Sequence, residues 1–339
     1  MTAMDDKLCN MRNVHLVIAD LFLPHQATAD AGLHLPALEK MLARGAWRSA
    51  GVSSLEHHLC ELFAVTIRQD APIAPVSAAF DGLEEGSWLR ADPVHLRLQR
   101  DQLVLLPAEA DMEDAGLLSA ALNAHFAGQG IAFFAPHPQR WYLRLDRVPD
   151  IETVPLSQAA GRNVRDLLPR GREAGHWHRL FNEIQMLLFA HPLNAAREAR
   201  GELPINSLWL WGCGTNVAPQ KNYEQVSSDD DLAAMFAVAA GIPFSAWAAV
   251  WHGEQNRQLL VFTGLRRALK NGDLHAWHTA LQQFETSHAE PLWHALRAGK
   301  IAQLRVDIIG RGTVLLTRAD AWAFWRRRLP LAHYSLSGE

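Results

Sequence analysis

Asp20 is the first residue whose position suggests chemistry, because it ends a continuous apolar run. Residues 14–20 are rich in β-forming residues and do not alternate regularly between polar and apolar types. Such a run predicts a strand buried on both faces, as in parallel sheets. Active sites of open α/β sheets lie at the carboxyl ends of their strands. Asp20 is therefore a candidate metal ligand or base, and its structural alternative is a turn former or a helix cap.

An arginine and an acid stand close together in residues 90–95. In a strand, Arg90 and Asp92 would share one face while His95 would lie on the other. The simplest interpretation is a structural ion pair. The functional alternative is an anion site, since arginine is the preferred bidentate partner of phosphate.

Three polar residues recur at a spacing of three on a predicted long helix, residues 177–200. His191, Asn194 and Arg197 would therefore face one way. They would either close a cleft between two lobes or cap the following loop, and the sequence leaves both alternatives open.

Histidine and cysteine spacing gives no clear metal site. The chain has seventeen histidines, and its three cysteines include no CxxC pair. His275 and His278 share a helical face, but exposed helix histidines are common, so a surface position is favoured. The acidic run at residues 229–231 precedes a predicted helix and is best explained as an N-cap.

The elements around these residues predict an α/β fold. Residues 35–45 predict a helix with Pro36 in its first turn and Gly45 at its end. Strands are predicted at residues 14–20, 93–98, 102–106, 131–134, 141–145, 207–211, 259–262 and in the hairpin 303–316, and helices at residues 112–128, 177–200, 231–241, 274–284 and 319–328. Alternating strands and helices favour a doubly wound, mainly parallel sheet.

The middle of the chain has a different pattern, with hairpin-like strands between two helices. We therefore expect residues 107–202 to form an inserted, smaller α+β lobe. The core would be discontinuous and comprise residues 1–106 and 203–339. A chain of 339 residues is long enough for two such lobes.

Composition restricts the class of protein further. Hydrophobic residues make up 49% and charged residues 20%, which excludes a disordered chain. The formal net charge of −4 disfavours nucleic acid as a partner. Residues 1–10 lack the pattern of a signal peptide, and no apolar stretch is long enough to span a membrane. We expect a cytoplasmic protein with neither a nucleic-acid nor a membrane partner.

Several blocks of sequence resemble a known family. They are Ala-Gly-Arg-Asn-Val at residues 160–164, Leu-Pro-Arg-Gly at 168–171, His-Pro-Leu-Asn-Ala-Ala-Arg at 191–197 and Ile-Asn-Ser-Leu-Trp-Leu-Trp-Gly-Cys-Gly at 205–214. In this order they resemble the archaeal-type cofactor-independent phosphoglycerate mutases of the alkaline phosphatase superfamily. Trp-Leu-Arg-Ala-Asp-Pro-Val-His-Leu at 88–96 resembles a bacterial branch of RpfE-type regulatory proteins. The resemblance implies an alkaline-phosphatase-like core with an inserted lobe.

The resemblance also implies a site with two divalent metals beside a serine or threonine nucleophile. Asp20 matches the first metal-binding aspartate, and Asp273 is a remnant of a later acidic segment. Ser53 and Ser54 lie where the nucleophile is expected, and Ser54 is the candidate. The resemblance places the strand of Arg90, Asp92 and His95 near the phosphate, so that Arg90 and Asp92 are catalytic candidates. The candidates for substrate binding are Arg90, His95, His191, Asn194 and Arg197.

Departures from the family pattern point away from catalysis. The metal-binding histidine expected before Asp273 is missing, Lys270 stands in its neighbourhood, and residues 301–339 lack the family's late Asp-His segment. A protonated lysine cannot ligate a metal. We therefore expect Asp20 to pair with an arginine or lysine, Lys270 first, so that Lys270→Ala destabilises the protein instead of abolishing an activity.

Two functional hypotheses follow from the resemblance and its departures. The first is a degenerate member without a cofactor that has a regulatory or binding role toward a small phosphorylated metabolite or a protein partner. The alternative is an active phosphomutase or phosphatase that uses Mn or Mg on a small phosphorylated metabolite. In either case Asp20, Ser54, Arg90, Asp92 and Asp273 are expected to approach a common cleft.

Overall fold

The computed structural model describes residues 12–22, 33–48, 54–253 and 255–336. In chain order its strands are β1 (Arg12–Ile18), β2 (Ala46–Arg48), β3 (Ser87–Gln99), β4 (Gln102–Pro107), β5 (Ile131–His137), β6 (Arg140–Leu145), β7 (Ser207–Gly214), β8 (Gln225–Ser228), β9 (Phe244–Ala246), β10 (Arg257–Phe262), β11 (Ile301–Ile308) and β12 (Gly312–Thr317). Its α-helices are α1 (Pro36–Arg44), α2 (Leu55–Leu62), α3 (Ile73–Phe80), α4 (Met112–His125), α5 (Leu156–Ala159), α6 (Ala174–Phe189), α7 (Pro192–Ala199), α8 (Asp231–Ala239), α9 (Arg266–Lys270), α10 (Leu274–Phe284), α11 (Glu290–Arg297), α12 (Arg318–Ala321) and α13 (Leu331–Leu336).

The chain forms two compact units, and the first is made from both ends of the sequence. Unit 1 comprises residues 1–63 and 220–339, and unit 2 comprises residues 64–219. The boundaries expected after residues 106 and 202 thus fall inside unit 2. The reason is β3, which pairs with β4, β6 and β7 and so holds this whole region in one sheet.

Unit 1 is built on a seven-stranded sheet in the order β2-β12-β11-β1-β10-β8-β9. β1 lies at its centre and pairs in parallel with β10 and β11. β8 and β9 extend the parallel part, while β12 and β2 add an antiparallel edge. The expectation of an α/β fold with a mainly parallel sheet is confirmed.

The two faces of β1 show why this strand lacks regular alternation. Val14, Leu16 and Ile18 point into a hydrophobic cluster that also contains residues of α1, α10 and α11. The opposite face is buried too, and there Asp307 of the neighbouring β11 contacts a side chain of α2. Helices on both faces leave neither side of the central strand in water, which is the doubly wound arrangement.

Unit 2 is α+β and contains a five-stranded antiparallel sheet. β3 is its longest strand and lies in the middle, with β4, β6 and β7 as partners, while β5 pairs with β6. α4 and α6 contribute buried side chains to its hydrophobic cluster, for example Leu118 and Ile184.

Two predicted helices are shorter than expected. The helix predicted at residues 177–200 is interrupted between α6 and α7, because Pro192 has no N–H to continue the first helix and instead opens the second. The helix predicted at residues 319–328 ends at Ala321, after the four residues of α12.

One π-helical turn, Glu285–Ala289, joins α10 to α11 and positions two buried titratable side chains. The Glu285 carboxylate accepts hydrogen bonds from the backbone N–H groups of Ala37 and Leu38 in the first turn of α1. His288 stacks on Trp247, with ring centroids 4.0 Å apart. Burial raises the pKa of Glu285 to about 7 and lowers the pKa of His288 to about 4.

None of the helices in the described part of the chain is long and apolar enough to cross a membrane.

The burial of His288 predicts that this side chain lowers the free energy of unfolding at acid pH. The folded state favours the neutral imidazole, so the unfolded chain binds more protons between pH 6.5 and about 4. This contribution of His288 should lower the free energy of unfolding by roughly 1–3 kcal/mol as the pH falls through the window, while Glu285, whose pKa is raised, acts in the opposite direction. Urea denaturation across this range should show His288→Phe gaining stability relative to the wild type as the pH falls, because only the His288 contribution is removed. The exposed control His275→Gln should keep the wild-type profile, and an equal slope in His288→Phe would contradict the assignment.

Candidate functional site

Asp20 lies just beyond β1 and binds an arginine. Its backbone has the left-handed φ of 59°, which a short polar residue such as aspartate tolerates. The Nε–H of Arg266 donates to Asp20 Oδ2 over 2.9 Å. The Asp20 side chain is 37% exposed and that of Arg266 is 22% exposed, so water screens the pair only in part.

Arg266 is shared between several carboxylates at the carboxyl end of the sheet. Its Nη1 lies 3.7 Å from Oδ2 of Asp230, whose other oxygen caps α8 by accepting from Leu232 N over 2.9 Å. Burial alone would lower the pKa of Arg266, but the charges of Asp20, Asp230 and Glu56 outweigh it and raise that pKa. We call Arg266, Asp20, Asp230, Glu56 and Lys270 the Arg266 cluster.

Lys270 belongs to this cluster but is not the hydrogen-bonding partner of Asp20 in the structure. Desolvation and the neighbouring Arg266 lower the pKa of Lys270, while Asp20 and Glu56 act in the opposite direction. The expectation that Asp20 pairs with an arginine or lysine thus agrees with the structure, but its first candidate is corrected. Arg266, one helical turn earlier, makes the hydrogen bond because its side chain reaches Asp20 directly.

The Arg266 cluster does not fit the two divalent metals that the family resemblance implies. Two cationic side chains already face its carboxylates, and a divalent ion there would meet their repulsion. Among residues 12–22, 33–48, 54–253 and 255–336, one group of three His, Cys, Asp or Glu donors converges closely enough to share an ion, and it contains neither Asp20 nor Asp273.

Asp273 and Ser54 both serve as helix caps. Asp273 is exposed, and its Oδ1 accepts from Ala276 N at the start of α10. Ser54 is buried, and its Oγ accepts from His57 N over 3.1 Å at the start of α2. The same hydroxyl lies 3.1 Å from Nδ1 of His57, so a serine does stand beside a base. Ser53 lies outside the described residues.

Arg90 and Asp92 form a closed ion pair inside unit 2. Arg90 is 7% exposed and Asp92 1% exposed. Arg90 Nη2 donates to Asp92 Oδ1 over 2.6 Å, and Trp211 Nε1 donates to Asp92 Oδ2 over 2.7 Å. The guanidinium lies over the rings of Tyr142 and Trp211. Burial raises the pKa of Asp92 against the opposing effect of Arg90. These contacts enclose the guanidinium and match the ion-pair alternative, and a phosphate-binding role for Arg90 stays a prediction.

The other substrate-binding candidates also hold unit 2 together. His191 caps α7, since its Nδ1 accepts from Leu193 N. Asn194 donates to the carbonyls of Leu188 and Ile205 and accepts from Ile205 N. Arg197 is buried against Asp114 and the carbonyls of Glu109 and Leu203, and His95 Nδ1 lies 3.0 Å from the carbonyl of Pro204. The sequence left two alternatives for residues 191–197, closing a cleft between lobes or capping the following loop. These contacts match the second alternative.

A buried cluster of two histidines and an aspartate was missed by the sequence reasoning. His15 Nε2 lies 2.5 Å and His58 Nε2 2.7 Å from Oδ2 of Asp307. Burial alone would raise the pKa of Asp307, but the hydrogen bonds from both histidines hold it well below its usual range. Burial lowers the pKa of His15. The sequence does show a polar residue in two apolar strands, His15 in β1 and Asp307 in β11. No local pattern, however, indicates that residues so distant in sequence are neighbours.

Unit 2 contains a cavity of about 710 Å³ with a mixed polar and apolar lining. Arg68, Arg147, Gln69 and Asn216 are among the residues around it. Arg147 is exposed and donates to Glu173, which lowers the pKa of that carboxyl to about 2. The cavity lies where β7 ends, and its size suits a small ligand.

Comparisons with known proteins support the resemblance at low identity. No family model matches the chain. It is 28% identical over 105 residues to a 2,3-bisphosphoglycerate-independent phosphoglycerate mutase from Methanosarcina barkeri, over 30% of this chain and 26% of that protein. It is 27% identical over 239 residues to a probable 2,3-bisphosphoglycerate-independent phosphoglycerate mutase from Geobacter sulfurreducens, over 66% of this chain and 59% of that protein. The matches thus span about a quarter and about three fifths of the length of these curated relatives.

A solved structure supports the fold. The PH0037 protein from Pyrococcus horikoshii matches with a TM-score of 0.51 at 14% identity, over 90% of this chain and 86% of that one. The α/β architecture with a mainly parallel sheet is therefore shared, consistent with an alkaline-phosphatase-like fold. The chain is similar to phosphoglycerate mutases in sequence and to this structure in fold.

The closed Arg90–Asp92 pair predicts a stability defect instead of a binding defect. Arg90→Met leaves the Asp92 carboxylate buried without its cation and should cost about 3–5 kcal/mol of unfolding free energy. Arg90→Met combined with Asp92→Asn removes the stranded charge and should recover part of that loss. Chemical denaturation of both variants checks this. Wild-type stability in Arg90→Met, with weaker binding of inorganic phosphate, would favour the anion site instead.

The Arg266 cluster predicts a second, smaller defect. Arg266→Met leaves Asp20 and Asp230 facing each other's charge and should lower the unfolding free energy by roughly 1–3 kcal/mol, since the cluster is partly screened by water. Arg267→Met, an exposed neighbour on α9, is the matched control and should change stability little. Equal stability of the two variants would show that the guanidinium does not neutralise these carboxylates.

Proposed function

We propose that this chain is a phosphoglycerate-mutase-like protein that has lost metal-dependent catalysis and acts by binding, in a regulatory role. One observation carries the proposal: the guanidinium of Arg266 lies against Asp20, the residue that the family resemblance matches to a metal-binding aspartate. The names of the curated relatives and the shared fold support the lineage. Placement in the RpfE-type branch and a cytoplasmic location are part of this proposal.

The chemistry of the Arg266 cluster explains why catalysis would be lost. Divalent metals in phosphoryl transfer both neutralise phosphoryl charge and generate an ionised nucleophile. A guanidinium offers hydrogen bonds and one positive charge, but no open coordination position for an oxygen atom. Arg266 is bound to Asp20. Ser54, the nucleophile candidate, is engaged as a helix cap. The cluster is thus suited to hold the fold together in the absence of a metal.

The cavity of unit 2 supplies a candidate surface for binding. Arg68 can offer positive charge and Asn216 can offer hydrogen bonds to a polar ligand, while Arg147 is bound to Glu173 and the carboxylates of Asp70 and Asp150 also line the cavity. In this proposal the ligand is a small phosphorylated metabolite, the class of ligand that the relatives' names suggest, and Arg68 would contact its phosphate. Binding of the metabolite in this cavity would regulate the protein, and the protein would act on a protein partner.

An active phosphomutase or phosphatase is the second candidate function. The observation in its favour is the Ser54 hydroxyl, which lies 3.1 Å from the His57 ring nitrogen. Under this alternative Mn or Mg would have to displace Arg266 from Asp20. The two functions therefore differ in whether Asp20 binds a metal in the wild-type protein.

Calorimetric titration with Mn²⁺, run together with an assay on a generic phosphate monoester, separates the two functions. We expect no tight binding that depends on Asp20, and no turnover above that of the Asp20→Ala variant, because Arg266 neutralises the carboxylate. Elemental analysis of the purified protein would identify any metal already bound. Tight stoichiometric Mn²⁺ binding with turnover, both lost in Asp20→Ala, would establish the enzyme and end the present proposal.

A further inference from the structure

His15, His58 and Asp307 bring three potential ligands to one point inside unit 1. His15 lies on β1, Asp307 on the adjacent β11, and His58 on α2, which packs against that face of the sheet. All three side chains are buried, and their donor atoms lie within 4.8 Å of one another. They are separated by as many as 292 residues in sequence, so the fold alone assembles them.

Each of the three side chains is held by a second partner. Tyr223 Oη lies 2.8 Å from Nδ1 of His15, and Glu61 Oε2 lies 3.2 Å from Nδ1 of His58. The second oxygen of Asp307 accepts from Arg305 Nε over 2.9 Å and from Thr313 Oγ1 over 2.6 Å. Histidine ligands of metals commonly have such a partner on their other nitrogen, which fixes the tautomer and the ring orientation.

The two contacts of His58 are both favourable only with a positive charge in the cluster. A carboxylate only accepts hydrogen bonds, so Nδ1 of His58 must carry a proton to bond with Glu61. In the neutral ring Nε2 then has a lone pair, which would point at the Asp307 carboxylate oxygen 2.7 Å away. Two lone pairs at this distance repel. Either a second proton on His58 or a cation between the two atoms removes the conflict.

We propose that His15 Nε2, His58 Nε2 and Asp307 Oδ2 bind a divalent transition metal ion of the zinc type. Two imidazoles and one carboxylate, with water in the fourth position, are an ordinary ligand set for zinc and a poor one for magnesium. In a tetrahedral site with bonds of about 2.0–2.1 Å, the donor atoms lie about 3.3 Å apart. The two contacts to Asp307 would therefore open by roughly 0.6–0.8 Å as the ion replaces the protons between them.

This site is separate from the Arg266 cluster and does not depend on the proposed function. His15 precedes Asp20 by five residues, about 16 Å along an extended chain. The cluster lies on a face of the sheet, between β1, β11 and α2, whereas Asp20 lies beyond the end of β1. Glu61 and Arg305, which contact His58 and Asp307, have side chains that are 58% and 41% exposed, so the cluster lies close to solvent.

One effect of the ion would be to stabilise the fold. It would tie α2 to the two central strands β1 and β11 and replace a repulsive or doubly protonated contact by metal–ligand bonds. Because the ion binds the folded arrangement and not the dispersed residues, its binding free energy would add to the stability of unit 1.

The test is titration of the chelator-treated full chain with Zn²⁺ alone, followed by calorimetry and thermal unfolding. We expect one equivalent to bind and to raise the unfolding temperature. His15→Gln and His58→Gln should each weaken binding at least about 100-fold, and Tyr223→Phe, which keeps all three ligands, about 10- to 100-fold. Asp20→Asn and the surface variant His275→Gln are controls that should leave the affinity unchanged.

X-ray absorption of zinc-loaded wild-type protein identifies the atoms around the ion. It therefore tests the proposal even if the ligand variants fail to fold. We expect a first shell of nitrogen and oxygen atoms with outer scattering from two imidazole rings. Absence of stoichiometric binding in the wild type, binding that survives His15→Gln or His58→Gln, or a spectrum without two imidazoles would each overturn the proposal. Loss of binding in Asp20→Asn alone would instead place the metal at Asp20 and contradict the proposed function while leaving this site without support.

Discussion

The positive charge of Arg266 is the constraint on which the carboxyl end of the unit 1 sheet depends. Asp20, Asp230 and Glu56 bring like charges to one place, and such a set is stable only beside cations or in protonated form. Arg266 and Lys270 are both carried by the five-residue helix α9, whose single turn places them on one side. Divalent ions at this place would themselves neutralise the carboxylates, without Arg266 and Lys270. The presence of these two residues stabilises the carboxylates without a metal, which is the basis of the proposed function.

The motifs that carry the family resemblance have a structural use in this chain. Asn194 and Arg197 in residues 191–197 fasten the α6–α7 connection to the start of β7 through buried hydrogen bonds. Arg90 and Asp92 form a closed pair under two aromatic rings. Similarity in these blocks therefore reports on how unit 2 is held together. It is compatible with an inherited fold whose chemistry has changed, because buried polar networks are costly to alter one residue at a time.

The sequence predicted best what depends on local pattern. The unbroken apolar run before Asp20 indicated a strand buried on both faces, and the central position of β1 confirms it. The extent of unit 2 was not predictable in this way, because it depends on β3 pairing with the distant β7. The same limit applies to His15 and Asp307, which become neighbours only when β1 and β11 pair. Pro192 indicates the break between α6 and α7, but the helical periodicity of the residues on both sides of it favoured a single long helix.

The most direct measurement of the central claim is anomalous X-ray scattering from crystals of the wild-type protein soaked in Mn²⁺. Manganese is identified by its own anomalous signal, so its position does not depend on interpreting weak density. We expect no manganese peak within bonding distance of Asp20, and we expect the Arg266 guanidinium to contact the Asp20 carboxylate. A fully occupied peak coordinated by Asp20, with Arg266 displaced, would contradict the central claim.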